Sequence, residues 1–205
     1  VTDEGGTKIF GVAGRVVRTG CYELPMGTPM RQLIEVHAGG MLPGYALRAV
    51  SPGGASTALV AAADLDVPLG FSTMDAVRSR LGTGTLVVLD DQTCPVGMVL
   101  NMMQFFAQES CGWCTPCREG LQWAASLLEG IEYGRAEPGD IEVLREGVWF
   151  MQSDKCFCDL APGATQPLES ALRLFPDDFE RHLAEGGCHY RRRGSDAPAM
   201  RGTLW

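Results

Sequence analysis

ESCGWCTPCREG, running from Glu109 to Gly120, carries the most specific chemistry of this chain. Within it Cys111, Cys114 and Cys117 stand at Cys-x2-Cys-x2-Cys spacing, and Cys158 follows further along. A short loop with that spacing can hold three corners of a cubane iron–sulfur cluster, the fourth ligand coming from elsewhere in the fold. Four thiolates also bind zinc, but zinc sites usually present two separated Cys-x2-4-Cys pairs. One run of three with a remote fourth favours iron and sulfide. The run KCFC, residues 155–158, offers both Cys156 and Cys158 as that fourth ligand, and spacing alone leaves the choice open.

On both sides of the cysteine run, apolar residues recur at helical spacing. Val96, Val99, Leu100, Met103 and Phe106 precede it, with Pro95 in the first turn. Leu121, Ala124, Leu127, Leu128 and Ile131 follow it and stop at Gly134; Ile141, Leu144, Val148 and Met151 form a third stripe, and Leu168, Ala171, Leu172 and Phe175 a fourth. Short connections make consecutive helices antiparallel neighbours, so the expectation is an up-down-up-down bundle. Its first and third helices end on the same side, which brings the loop of Cys111, Cys114 and Cys117 to the loop of Cys158. The amides and dipole at the start of the second helix favour an anionic cluster beside Cys117. Gly112 permits close backbone approach, Pro116 stiffens the loop, and Arg118 is placed to offset negative charge. A short extra helix, Asp177 to Ala184, meets the stop Gly186-Gly187.

Toward the N-terminus the pattern changes. Lys8 to Val17 is rich in β-formers, and Cys21-Tyr22-Glu23-Leu24 follows the turn Thr19-Gly20 as a hairpin would. Thr28 as cap and Pro29 at the first helical position open a helix to Val36 or His37, which Gly39-Gly40 stops. Ala46 to Val50 and Thr85 to Leu89 read as strands, with a short helix from Ser72 to Leu81 between them. The fold class is therefore α+β: a small β-grasp-like domain, then the four-helix bundle carrying the cluster.

Composition sets the outer limits. The chain has 205 residues, 45% of them hydrophobic, enough for one large or two small domains. A net charge of -8 argues against nucleic acid, because neutralising phosphates needs a basic surface. No stretch approaches the roughly 18 apolar residues of a membrane span, so direct membrane insertion is not expected. Eight cysteines in a chain of this size without a signal peptide serve a metal more often than a disulfide framework. His37, His182 and His189 are expected on the surface, Cys21 and Cys94 as small core residues, and Met98, Met102 and Met103 as packing. No Ser-His-Asp set or carboxylate pair supports hydrolysis.

ESCGWCTPCREG, together with FCDLAPGATQPLESAL at residues 157–172, resembles the F subunits of respiratory complex I, the NADH-binding flavoprotein subunits of NADH:quinone oxidoreductase. The resemblance implies a β-grasp soluble-ligand-binding domain over residues 1–92, a [4Fe–4S]-binding helical bundle over 93–185 and an extended C-terminal tail over 186–205. It implies Cys111, Cys114, Cys117 and Cys158 as the metal ligands, because in that family the cysteine just before the APGA stretch is the fourth, with Cys156 a spare. It implies partners in the peripheral arm, the thioredoxin-like iron–sulfur subunit and the large iron–sulfur subunit. The location it implies is cytoplasmic, peripheral on the cytoplasmic side of the bacterial inner membrane. The tail with Arg191-Arg192-Arg193 and Trp205 would then be a docking arm.

In that family FMN and NADH bind an N-terminal domain with a GRGGAGFP-like motif, which residues 1 to 110 do not contain; Ser51-Pro52-Gly53-Gly54-Ala55-Ser56 reads as a turn. The chain therefore reads as the C-terminal part of such a protein, opening on Val1 rather than Met, with no NADH oxidation of its own expected. Two other functions fit the same residues. One is the equivalent part of a soluble diaphorase subunit in an NAD-linked hydrogenase or formate dehydrogenase, and the other a zinc-stabilised interaction module without redox activity.

Overall fold

A computed structural model describes residues 4–193, with side chains to Arg191. Five strands form one mixed sheet: β1 (Thr7–Ala13), β2 (Gly20–Pro25), β3 (Leu47–Ser51), β4 (Val60–Ala61) and β5 (Thr85–Asp90). Their order is β2-β1-β5-β3-β4, with β1 and β5 parallel at the centre and the other pairs antiparallel. That order is the β-grasp arrangement. Successive residues of a strand face opposite sides of a sheet, and the sheet uses both. Val50 and Val88 join Phe10, Leu33 and Leu86 in a core beneath one face, whereas Ala49 and Leu89 pack with Val96 and Val99 of the helical region.

The first helical segment departs from expectation. Pro29 precedes the helix, and Thr28 donates its hydroxyl to the Pro25 carbonyl at 2.8 Å instead of capping an amide. One α-turn, α1 (Met30–Gln32), passes into a π-turn over Leu33–His37, where the Ala38 amide reaches the Leu33 carbonyl at 2.9 Å. The Arg18 guanidinium satisfies the carbonyls of Val36 and His37 that such an ending leaves free. The helix expected from Ser72 to Leu81 is a short 3-10 turn, Met74–Val77, that ends where Arg78 takes a left-handed conformation, φ 53°.

From Pro95 the chain is helical: α2 (Pro95–Glu109), α3 (Thr115–Glu132), α4 (Asp140–Phe150), α5 (Leu160–Leu174), α6 (Pro176–Glu185) and α7 (His189–Arg193). Each expected stripe is largely buried. Ser110 at the end of α2 touches Cys117 at the start of α3, and Cys94 at the start of α2 touches Glu132 at the end of α3, so the two helices are antiparallel. Helix α4 runs back along α3, the ring of Trp123 lying over the flat backbone of Gly147. Helix α5 is the most enclosed, with Ala161, Ala164, Leu168 and Ala171 all at 1% exposure or less. It also ties the bundle to the sheet, because the Ser170 hydroxyl accepts the Leu59 amide at 2.8 Å.

The extended tail expected from residue 186 is not what residues 186–193 form. Gly186 (φ 65°) ends α6, the chain reverses, and Cys188 and His189 are buried at the start of α7. The remainder of that expected tail, Trp205 included, lies outside the described residues. Among the described residues no helix is long and apolar enough to cross a membrane.

Candidate metal centre

The cysteine run occupies the turn between α2 and α3. Pro116 sits in the first turn of α3, where its missing N–H costs nothing, and Cys114 is the residue that enters the helix in extended conformation. Gly112 takes φ 75°, which a side chain would disfavour, and so turns the loop back on itself. Arg118, expected to offset negative charge at the cysteines, is held in the loop by two partners. It braces the loop by donating to the Gly112 carbonyl at 2.8 Å and shares its charge with Glu119, also at 2.8 Å.

The second loop, between α4 and α5, lies against the first: the rings of Phe157 and Trp113 are 5.3 Å apart. The Phe157 backbone N–H is aimed at Cys114, and this bond above all holds the Cys114 thiol below its ordinary range, against burial and with help from the Cys117 amide. Burial pushes the Cys117 thiol up, the Ser110 hydroxyl at 3.1 Å pulls it down, and charge at Cys114, Cys158 and Cys111 pushes it up further. All four expected sulfurs thus share one electrostatic neighbourhood. Cys114 and Cys117 are buried, Cys111 and Cys158 exposed. Cys156 adjoins them, part-buried, with its thiol against the Met151 carbonyl at 3.8 Å; burial, then charge at Cys114, pushes it to about 11.

As a donor set the four cysteines fit an iron–sulfur cluster: thiolates from two loops, backbone N–H directed at sulfur, a hydroxyl on Cys117 and no carboxylate among them. Residues 97–182 match the family model described as the NADH-ubiquinone oxidoreductase-F iron-sulfur binding region, and residues 9–59 match the SLBB domain. This chain carries the F-type iron–sulfur binding region. It is similar to the C-terminal part of the F subunits of NADH-quinone oxidoreductase. Identity to the F subunit of Escherichia coli is 45% over 182 residues, 89% of this chain and 41% of that protein. With the F subunit of Streptomyces coelicolor it is 39%, over 96% of this chain and 43% of the relative. The chain therefore spans about two fifths of the curated relatives it matches. A crystal structure of an NAD+-reducing [NiFe]-hydrogenase in the air-oxidised state superposes with TM-score 0.77 at 33% identity, over 87% of this chain and 30% of that one.

Beside the F-type cysteines the surface is aromatic. Trp113 is 78% exposed and Phe157 74%, and Trp149 and Phe150 stand out from the end of α4. An apolar groove of about 620 Å³ runs between α3 and α4 past Pro116, Trp123, Val143 and Phe150.

A second constellation was not foreseen. Cys94, Glu132, His182 and Cys188 bring their ligand atoms within 4.8 Å of one another at the opposite end of the bundle. His182, expected on the surface, is fully buried; His189, also expected there, is 6% exposed. Cys94 is not a plain core residue, since its sulfur accepts the Gly97 amide at 3.2 Å and caps α2. Cys21 is exposed on β2 rather than buried. Cys94 and Cys188 act as a pair: the hydrogen bond between them pushes the Cys94 thiol up and the Cys188 thiol down. His182 is raised to about 10, its bonds to Cys188 and Glu132 outweighing its burial. These four positions belong to the cap of α2, to helices α3 and α6, and to the turn after α6, with no local spacing to mark them.

Proposed function

We propose that the chain is an electron-transfer module of an F-type subunit of NADH:quinone oxidoreductase, holding a [4Fe–4S] cluster on Cys111, Cys114, Cys117 and Cys158. The observation that carries this reading is the approach of two loops, residues 110–117 and 156–158, at one end of the bundle with their thiols in a common environment. When bound, such a cluster takes up and gives back one electron at a time. The chain's own residues do the rest. The Phe157 N–H and the Ser110 hydroxyl donate to ligand sulfurs and so stabilise their negative charge. The Trp113 and Phe157 rings bring the two loops into contact, and Gly112 and Arg118 fix the first loop's shape.

In the full-length protein, electrons reach this module from NADH through FMN and leave toward quinone. The exposed aromatic patch and its groove then face the neighbouring iron–sulfur subunits of the peripheral arm, on the cytoplasmic side of the inner membrane. A second reading has its own support. The similarity to the NAD+-reducing hydrogenase favours a soluble diaphorase assembly, and the subunits that copurify with the chain distinguish the two.

The test is anaerobic purification followed by iron, sulfide and EPR analysis. About four irons and four sulfides per chain and a reducible cubane signal are expected; iron-free protein with zinc in a four-sulfur shell would leave only the non-redox module.

A further inference from the structure

We propose that Cys94, Glu132, His182 and Cys188 form a second metal site that holds one zinc ion and locks the C-terminal segment onto the bundle. Zinc at its usual bond lengths, about 2.3 Å to sulfur and 2.0–2.2 Å to nitrogen and oxygen, makes a tetrahedron whose edges between unlike donors are about 3.3–3.6 Å. Three such edges are present: Cys94 Sγ to His182 Nε2 at 3.3 Å, Cys94 Sγ to Glu132 Oε2 at 3.5 Å, and His182 Nε2 to Glu132 Oε2 at 3.3 Å.

The surroundings orient each donor. His182 Nδ1 lies 2.6 Å from the Asp178 carbonyl, so Nδ1 carries a proton there and Nε2 is the nitrogen turned toward the other three. Glu132 Oε1 is taken by Arg191 at 3.1 Å, which leaves Oε2 to face Cys94 and His182. Cys188 is placed by backbone: its amide donates to the Glu132 carbonyl at 3.0 Å, and the Gly187 amide to the His182 carbonyl at 2.8 Å. Two thiolates, an imidazole and one carboxylate suit zinc, whereas magnesium and calcium take oxygen donors. With four protein ligands the site is closed, which is the form of structural rather than catalytic zinc. Binding sends the thiol and Nε2 protons to solvent and changes no oxidation state.

The site is separate from the F-type cysteines. Glu132 and Cys117 stand fifteen positions apart on α3, about 22 Å along the axis. Nor does it suit a cubane, which needs donors spread around a cluster; these converge on a point.

The test uses the 205-residue chain purified anaerobically without chelator, with metal analysis and zinc K-edge absorption. About one zinc per chain is expected in addition to cluster iron, with two sulfurs at about 2.3 Å and two lighter donors at about 2.0–2.1 Å. Cys188→Ser should weaken zinc retention at least about tenfold while iron and the cluster signal persist; Cys111→Ser should do the reverse. Should Cys188→Ser not fold, the sulfur count around zinc in the unsubstituted chain decides. A four-sulfur zinc shell, failure to take up zinc from supplemented medium, or a Cys94–Cys188 disulfide in unreduced protein would each overturn the proposal.

Discussion

At the scale of single residues, the fourth cluster ligand is the sharpest question, because Cys156 and Cys158 share one loop. Cys156 is partly withdrawn into the bundle core and held at the Met151 carbonyl, while Cys158 lies exposed beside the cysteine run. Cys158→Ser is expected to lose the iron and the EPR signal and Cys156→Ser to keep both; the opposite pattern would assign the ligand to Cys156. Asp178 supports a second prediction. Burial raises its carboxyl pKa, but hydrogen bonds from Arg48 and Tyr190, each 2.7 Å long, outweigh burial and hold it below the usual carboxylate range. A carboxylate depressed in the folded state contributes stability that is present above its unfolded value, near pH 4, and lost as pH falls through the folded one. Breaking a fully buried ion pair costs about 3–5 kcal/mol, and the partial exposure of Arg48 reduces the expected cost of Asp178→Asn to about 1–3 kcal/mol at pH 7. Urea melts at pH 7 and pH 3 check this: the difference between variant and parent should shrink at the lower pH, and an equal difference at both would refute the linkage.

Among the elements, α5 is tied to the sheet side of the molecule by a buried hydroxyl. Ser170 Oγ accepts the Leu59 amide while donating back to the Gln166 carbonyl at 2.8 Å. Ser170→Ala strands a buried N–H, so a loss of about 1–3 kcal/mol is expected by denaturant melts, with faster amide exchange at Leu59. A loss below about 0.5 kcal/mol would mean that water replaces the hydroxyl. The helices around this contact were readable because each buries one continuous stripe, a signal that survives without knowing the partner. Strands β1, β2, β3 and β5 were readable from runs of β-forming residues bounded by turns. Strand β4 was not: Val60-Ala61 is too short for alternation to register, and it pairs only because β3 is already in place. The π-turn at Leu33–His37 likewise depends on Arg18, a residue distant in sequence. The four cysteines at the α2–α3 and α4–α5 turns were legible because three lie within one loop and the family pattern names the fourth. The Cys94, Glu132, His182 and Cys188 group has no local spacing, and Cys94 and His182 each had a plainer reading on its own.

Across the whole molecule the two proposed metal sites sit at opposite ends of the same antiparallel helices, which gives their removal different signatures. Metal held only by the folded state adds its binding free energy to folding, and the gain is felt first by the segments that supply ligands. At one end those segments are residues 110–118 and 155–159; at the other they are the start of α2, the end of α3 and the reversal after α6. The β1–β2 hairpin supplies none and packs in the core beneath the far face of the sheet. Chelating iron anaerobically should therefore accelerate amide exchange in residues 110–118 and 155–159, with β1 and β2 unchanged. A stronger chelator that also takes zinc should extend the loss to residues 94–98 and 182–191. Because Ala49, Leu59 and Leu89 share a core with the helices, β3 and β5 are expected to respond weakly to either treatment rather than not at all. Hydrogen exchange followed by mass spectrometry resolves these segments. A uniform rise over the whole chain on iron removal alone would show that the two ends and the sheet open together, and that the ligand loops have no stability of their own to lose.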